Sequence, residues 1–149
     1  MPYRIKRFKK EHLDNFDFRD EQKAEAELFL KRDDIIYIWV NLLPMFTLFY
    51  NEKPLMVYGM QATGWGTYYP TIFMGKGIDK HILSVIRCVY KYVDEYVGQD
   101  VRRFEAYVNA EDTKAHRFAR FFGMEPVGIR RQAGVSGEDQ VVYERLWRK

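Results

Sequence analysis

The chain has 149 residues, 47% of them hydrophobic and 30% charged, with a net charge of +3; this is the size and balance of one folded domain, not of a disordered tail. So small a positive charge argues against a dedicated nucleic-acid binder, the lone cysteine excludes an internal disulfide, and no apolar run approaches the roughly 20 residues of a membrane span. The opening MPYRIKRFKK is followed by no apolar core, so a cytoplasmic protein without a signal peptide is expected.

Neither a repeat nor a Gly/Ser/Pro-rich linker interrupts the sequence, and one domain over residues 1–149 is expected. Tyr3 to Phe8 alternates like a strand. Asp20 can cap a helix through Glu21–Arg32. Asp34 to Leu43 fits a strand by its β-branched content, but fits a helix better, with Ile35, Trp39 and Leu42–Leu43 on one face, Asp34 as cap and Pro44 as stop. Met45–Tyr50 and Leu55–Gln61 flank Asn51-Glu52-Lys53-Pro54 as a hairpin, and Gly64-Trp65-Gly66 turns into a third strand, Thr67–Met74. The period then changes. Ile78, Ile82, Val85, Ile86, Val89, Val93 and Tyr96 recur at helical spacing up to Gly98. Arg103–Val108 reads as a strand, Thr113–Phe122 as a helix stopped by Gly123, and Met124–Arg131 and Gln140–Leu146 as two last strands. This order predicts an α/β domain with a central mixed, mostly antiparallel sheet and helices on both faces.

Several chemistries lack their residues. His12, His81 and His116 fall on three different elements without ligand spacing, so no metal site is expected. The serines are Ser84, inside the long helix, and Ser136, in a loop, and no Gly-x-Ser-x-Gly is present. Gly75-Lys76-Gly77 is not a Walker loop, and Cys88, mid-helix, reads as a structural thiol. Arg4, Lys6, Arg7, Lys9 and Lys10, and again Arg130 and Arg131, read as solvated faces. A nucleic-acid role would rest on Arg4, Lys6, Lys9 and Lys10 alone and is not the expectation. Trp65, Tyr68 and Tyr69 around the second turn fit either the core or an interface.

The stretch from Asp112 to Met124 carries a resemblance. Asp112, Ala115, Gly123 and Met124 follow a strand at the spacing of the pattern Asn-x-x-Ala-x-x-x-Tyr-x-x-x-Gly-Phe. With the preceding meander and long helix, the chain from about residue 3 to 146 resembles the GNAT acyltransferases. That resemblance implies acetyl-CoA as cofactor, with its pyrophosphate at the start of the long helix on an Arg/Gln-x-x-Gly-x-Gly/Ala loop. Here the matching stretch is Ile72-Phe73-Met74-Gly75-Lys76-Gly77. Gly75, Lys76, Gly77 and Asp112 are the cofactor-binding candidates if CoA is bound. Exposed N–H groups at a helix head suit phosphates, but Gly-Lys-Gly by itself is better explained as a plain strand-to-helix turn.

Three departures from the pattern imply an eroded site. Ile72 replaces the Arg or Gln, Ala119 stands where the family has a proton-donating tyrosine, and Asp79 brings a carboxylate to the helix head. Tyr107, Tyr68 and Tyr69 are substitute acids to consider, and Glu105 a base; Glu105 and Tyr107 are the catalytic candidates if the protein is active. The helix segment Ala115-His116-Arg117-Phe118, the basic first strand and the truncated phosphate loop resemble the small GNAT-like internal virion or assembly proteins of short-tailed bacteriophages. That likeness implies a role in particle morphogenesis, with protein partners in a viral particle, a homo-oligomer left open, and a place in the virion or host cytoplasm. The eroded site implies no cofactor, and Trp65, Tyr68 and Tyr69, aromatic residues at a turn with Gly64 and Gly66, are the expected interface. The alternative is an active acetyl-CoA-dependent N-acetyltransferase.

Overall fold

The computed structural model describes residues 2–147. Its strands are β1 (Tyr3–Arg7), β2 (Phe46–Tyr50), β3 (Lys53–Gly64), β4 (Thr67–Met74), β5 (Arg103–Asn109), β6 (Glu125–Arg130) and β7 (Gln140–Leu146). Its helices are α1 (Lys23–Leu30), α2 (Asp33–Asn41), α3 (Ile82–Tyr96) and α4 (Thr113–Phe121), with short 3-10 turns at Lys10–Leu13, Asp20–Gln22 and Ile78–His81. The strands form one seven-stranded sheet in the order β1-β2-β3-β4-β5-β7-β6. The pairs β1–β2, β2–β3, β5–β7 and β6–β7 are antiparallel, and β4 pairs parallel with β5 at Thr67↔Arg103 and Tyr68↔Phe104. The mostly antiparallel α/β expectation holds. Packing gathers into two compact units, residues 1–61 with 71–87, and residues 62–70 with 88–149.

In the first unit the segment after β1 becomes two helices. Asp20 does not cap α1, as the sequence suggests; it opens the 3-10 turn, and Gln22 takes the cap position without a side-chain cap bond. The ambiguous Asp34–Leu43 stretch is helical. Its inward residues are Ile36 and Trp39, while Leu42, expected on the same face, is exposed. Asp34 lies inside the first turn; the hydrogen bonds from Arg32 at 2.8 and 2.9 Å hold its carboxyl down to about 2. The Trp39 ring lies 6.0 Å from Phe8, 5.4 Å from Phe29 and 5.7 Å from Phe73, so β1's end, α1, α2 and β4 meet at one indole. The β2–β3 hairpin closes on Asn51 and Glu52, both with positive φ (47° and 66°), the backbone that a two-residue turn between twisted strands requires.

In the second unit α4 has a defined start and stop. The Asp112 carboxylate accepts the Ala115 N–H at 3.1 Å, which satisfies one of the donors a helix start leaves unpaired. At the other end Gly123 takes φ +69°. The Met124 N–H bonds to the Ala119 carbonyl at 3.1 Å and the Gly123 N–H to Arg120 at 2.9 Å, a Schellman stop. Arg145 of β7 donates to the Phe122 carbonyl at 2.8 Å and to the Tyr90 hydroxyl at 2.7 Å, tying α4 and α3 to the sheet.

Because Trp39 joins four elements and is 5% exposed, Trp39→Ala is expected to destabilise the protein by about 3–5 kcal/mol in urea unfolding. A loss under about 1 kcal/mol would show that the first unit does not depend on this side chain.

Candidate functional site

Two places carry the residues singled out by the sequence, and each lies within one unit. The first is the loop between β4 and α3. Here β4 has both of its edges engaged. The Gly75 N–H donates to the Leu55 carbonyl of β3 at 2.8 Å. On the opposite edge, residues Asp17–Gln22 run alongside: the Arg19 N–H donates to the Met74 carbonyl at 3.2 Å, and the Lys76 N–H donates to the Asp17 carbonyl at 2.8 Å. These two bonds form an antiparallel bridge of Phe18 with Gly75. Gln22 extends the pairing with its side chain, accepting the Met74 N–H at 2.8 Å and donating to the Ile72 carbonyl at 3.0 Å. The carboxamide thus stands in for a peptide group of a paired strand.

The loop's charge is engaged as well. Lys76 Nζ lies 3.9 Å from Asp17 and 3.6 Å from Asp20. Asp20 also accepts Lys23, and the Lys23 hydrogen bond, aided by Lys76, lowers its pKa. Gly77 takes φ +78°, where a side chain would be strained, and a Cβ there would meet nothing within 4 Å. A Cβ on Gly75 would instead press on the Leu55 carbonyl at 3.0 Å. After Gly77 the chain makes the 3-10 turn Ile78–His81, carrying exposed Asp79, before α3 begins. Gly75 and Lys76, the candidates for cradling a phosphate, therefore have their N–H groups committed inside the chain. As arranged, these two amides are not open to a pyrophosphate.

The second place is the side-chain row on β5. Tyr107 donates its hydroxyl to Glu105 Oε1 at 2.7 Å, and Arg103 donates to Glu105 Oε2 at 2.9 Å and also to Glu144 of β7. The Arg130 guanidinium lies over the Tyr107 ring at 4.1 Å, and the Tyr69 ring lies 5.2 Å away. The Tyr107 hydrogen bond, with help from Arg103, holds the Glu105 pKa down, and the same bond pushes the Tyr107 pKa up. Glu105 is thus a well-solvated-by-protein carboxylate, a weak base near neutrality, and Tyr107 keeps a proton already directed at Glu105.

The remaining sequence candidates have local roles. Asp112 is the α4 cap, and Ala119 is buried within α4. Tyr68 is half-buried; its hydroxyl donates to Asp100 at 3.0 Å and accepts the Gly98 N–H at 3.1 Å. Tyr69 is half-buried against Tyr107. Trp65 differs: it is 92% exposed at the tip of the β3–β4 turn, with φ +46°, and its carbonyl accepts the Arg102 guanidinium. The Gly66 carbonyl takes the N–H groups of Arg102 (2.8 Å) and Arg103 (3.2 Å), so the tip is clamped although its indole is bare. Sequence reasoning missed Asp17 and Gln22; Asp-Phe-Arg-Asp-Glu-Gln has no periodicity or turn signal that points to a strand edge fifty or more positions away. Among the described residues, no cluster of three His, Cys, Asp or Glu side chains could hold a metal, and no helix is long and apolar enough to cross a membrane.

No family model and no curated protein matches the sequence. Solved structures do. The chain is similar to Ard1 from Thermoplasma volcanium over 100% of both chains, with a TM-score of 0.71 at 10% identity. It is similar to the GNAT-family acetyltransferase from Bacillus anthracis over 98% of this chain and 95% of that one, with a TM-score of 0.66 at 13% identity. The fold is that of the GNAT acetyltransferases. A third GNAT-like neighbour is the Microcin C7 self-immunity acetyltransferase MccE, solved in complex with acetyl-CoA and AMP; it matches 83% of this chain and 71% of its own with a TM-score of 0.58 at 16% identity. At these identities the likeness extends to the GNAT fold, and the site is read from the chain's own residues.

Two outcomes follow from the geometry. Glu105 has a folded pKa below its unfolded value, so its contribution to stability is complete above the ordinary glutamate pKa of about 4.3 and is lost as pH falls through the lowered value. Acid unfolding of Glu105→Gln should accordingly show a shallower loss of stability in that acid range than wild type; superimposable profiles would mean the Tyr107–Glu105–Arg103 row contributes nothing. At the hairpin tip, Trp65→Ala should change unfolding stability by about 0.5 kcal/mol or less, as for an exposed position. A loss of several kcal/mol would place the indole in a core and remove it as a free surface.

Proposed function

We propose that this chain is a GNAT-fold protein whose acyl-CoA loop is closed, and that it serves as a structural or assembly component of a bacteriophage particle without acyl transfer. The observation that carries the reading is the commitment of the Gly75 N–H to Leu55 and the Lys76 N–H to Asp17. An anion at a helix head is held by N–H groups that have no other partner, and these have partners. Ile72, with its carbonyl bonded to Gln22, and Ala119, buried in α4, support the same reading. The viral role rests on the resemblance of the basic first strand, the short loop and Ala115-His116-Arg117-Phe118 to internal virion proteins. Its partners would be proteins of the particle or further copies of itself, in the virion or the host cytoplasm. Trp65 is the contact we assign first, because a bare tryptophan on a clamped turn has the character of an interface hot spot.

The test is isothermal titration with acetyl-CoA. No heat of binding is expected at concentrations up to roughly millimolar, where an affinity of about −4 kcal/mol would register. A micromolar dissociation constant would overturn the reading.

A second reading, an acetyl-CoA-dependent N-acetyltransferase acting on an amine, has one observation in its favour: Tyr107 and Glu105 sit side by side on β5 at 2.7 Å, an acid and a carboxylate within proton-transfer reach. A thiol-release assay over a broad amine panel decides it. Turnover that falls in Tyr107→Phe would establish the enzyme, and release no faster than buffer would remove it.

A further inference from the structure

A lost binding loop and a covered binding loop differ in kind, and the contacts around β4 speak to the difference. Had the loop only drifted, its donors would turn to water or to their own helix. They are instead matched, group for group, by one continuous segment. From Ile72 to Lys76, the β4 edge turned away from β3 presents carbonyl, N–H, carbonyl and N–H, and Asp17–Gln22 answers each in turn: Gln22 Nε2 to Ile72, Gln22 Oε1 to Met74, the Arg19 N–H to Met74 and the Asp17 carbonyl to Lys76. The match is completed by charge, with Asp17 and Asp20 placed on Lys76, the cation between Gly75 and Gly77. Two carboxylates on a lysine flanked by glycines occupy the position of an anion.

We infer that Asp17–Gln22 is a strap that acts as an internal substitute for an anionic, amide-bearing ligand, so that the strap, and not the loss of Ile72's or Ala119's counterparts, is what keeps an acyl-CoA phosphate from the Gly75–Gly77 loop. This rests on the reading of that loop as the acyl-CoA place. The strap is held differently along its length. Phe18 and Arg19 anchor its middle, the Phe18 ring 4.6 Å from Phe16 and 5.9 Å from Phe73 and the Arg19 side chain buried. The flanks are polar: Asp17 on one side and Asp20 on the other are exposed, Gln22 is half-buried, and their partner Lys76 is exposed. Exposed ion pairs of this kind are weak and screened by salt. The polar flanks are therefore the parts that open: releasing the Gln22 side frees the Met74 N–H, and releasing the Asp17 side frees the Lys76 N–H and, with Asp20, the Lys76 ammonium. A protein surface that takes hold of Asp17, Asp20 or Gln22 would uncover the loop.

The experiment compares the full-length protein with Asp17→Asn/Asp20→Asn/Gln22→Ala, which leaves the loop, Phe18 and Arg19 intact. Acetyl-CoA and inorganic pyrophosphate are titrated separately, and amide exchange is read at Met74 and Lys76. The double variant Asp17→Asn/Asp20→Asn, which alters only exposed carboxylates, serves if the triple variant does not fold. The inference expects faster exchange at both amides and acetyl-CoA binding at least about ten-fold tighter than wild type, because a ligand's apparent affinity scales with the fraction of protein in the open state. Pyrophosphate binding without acetyl-CoA binding would limit the uncovered place to the phosphates, in support of the strap. Faster exchange with no binding of either probe would overturn the inference while leaving the closed-loop reading standing, since an opened loop would then hold nothing. Unchanged exchange would also overturn it, because these side chains would not be what holds the segment down. Equal, micromolar acetyl-CoA binding by wild type and variant would overturn the earlier reading itself.

Discussion

A strand inside a folded protein must have both edges satisfied, and the way β4 meets that requirement governs the first unit. One edge is taken by β3. The other carries Ile72, Met74 and Lys76, whose backbone groups would each cost free energy if buried without a partner. Residues Asp17–Gln22 supply those partners, and Gln22 contributes through its side chain because the backbone there has already turned into the 3-10 turn that leads to α1. Once this segment lies along β4, α1 and α2 start from a fixed point. The aromatic cluster of Phe18, Phe29, Trp39 and Phe73 then has a defined geometry. The satisfied β4 edge and the packed core go with one pairing.

The second unit is organised by guanidinium groups. Arg145 holds the end of α4 and the Tyr90 hydroxyl of α3; Arg103 joins two carboxylates of adjacent strands; Arg102 clamps the hairpin tip; Arg130 covers Tyr107. A planar group with five donors can satisfy several acceptors at fixed angles, which a lysine ammonium does not. Apart from Arg130, these positions lie outside the clusters that composition brings to notice. The basic run Arg4–Lys10 lies at the sheet's edge strand and just beyond, where charge keeps an open edge from pairing with other chains.

The order of elements was legible in the sequence because its signals are local. The apolar spacing from Ile78 to Tyr96, the Asp112 start and Gly123 stop of α4, and the turns at Asn51 and Gly64–Gly66 each depend on residues within one element. Where the reading slipped, a distant contact decided. Asp20 has the chemistry of a cap, but Lys23 and Lys76 claim its carboxylate. The face of α2 is turned by about one residue, because the indole of Trp39 must reach Phe73 and brings Ile36 inward with it. At the candidate site, the departures at Ile72 and Ala119 could be read by position. The closing segment could not, because a glutamine side chain mimicking a peptide group leaves no periodic trace, and its partners lie fifty and fifty-two positions away.

The bare indole at the hairpin tip has an optical consequence. The three tryptophans occupy separate environments: Trp39 is enclosed by aromatic rings, Trp147 is half-buried with its ring 5.2 Å from Phe104, and Trp65 is surrounded by water. Indole emission shifts to longer wavelength and quenches more readily as water gains access. The native spectrum therefore contains a red, quencher-accessible component from Trp65 above a bluer, shielded one from Trp39. Any surface that covers the tip will move the first without the second, and unfolding of the first unit will move the second without the first.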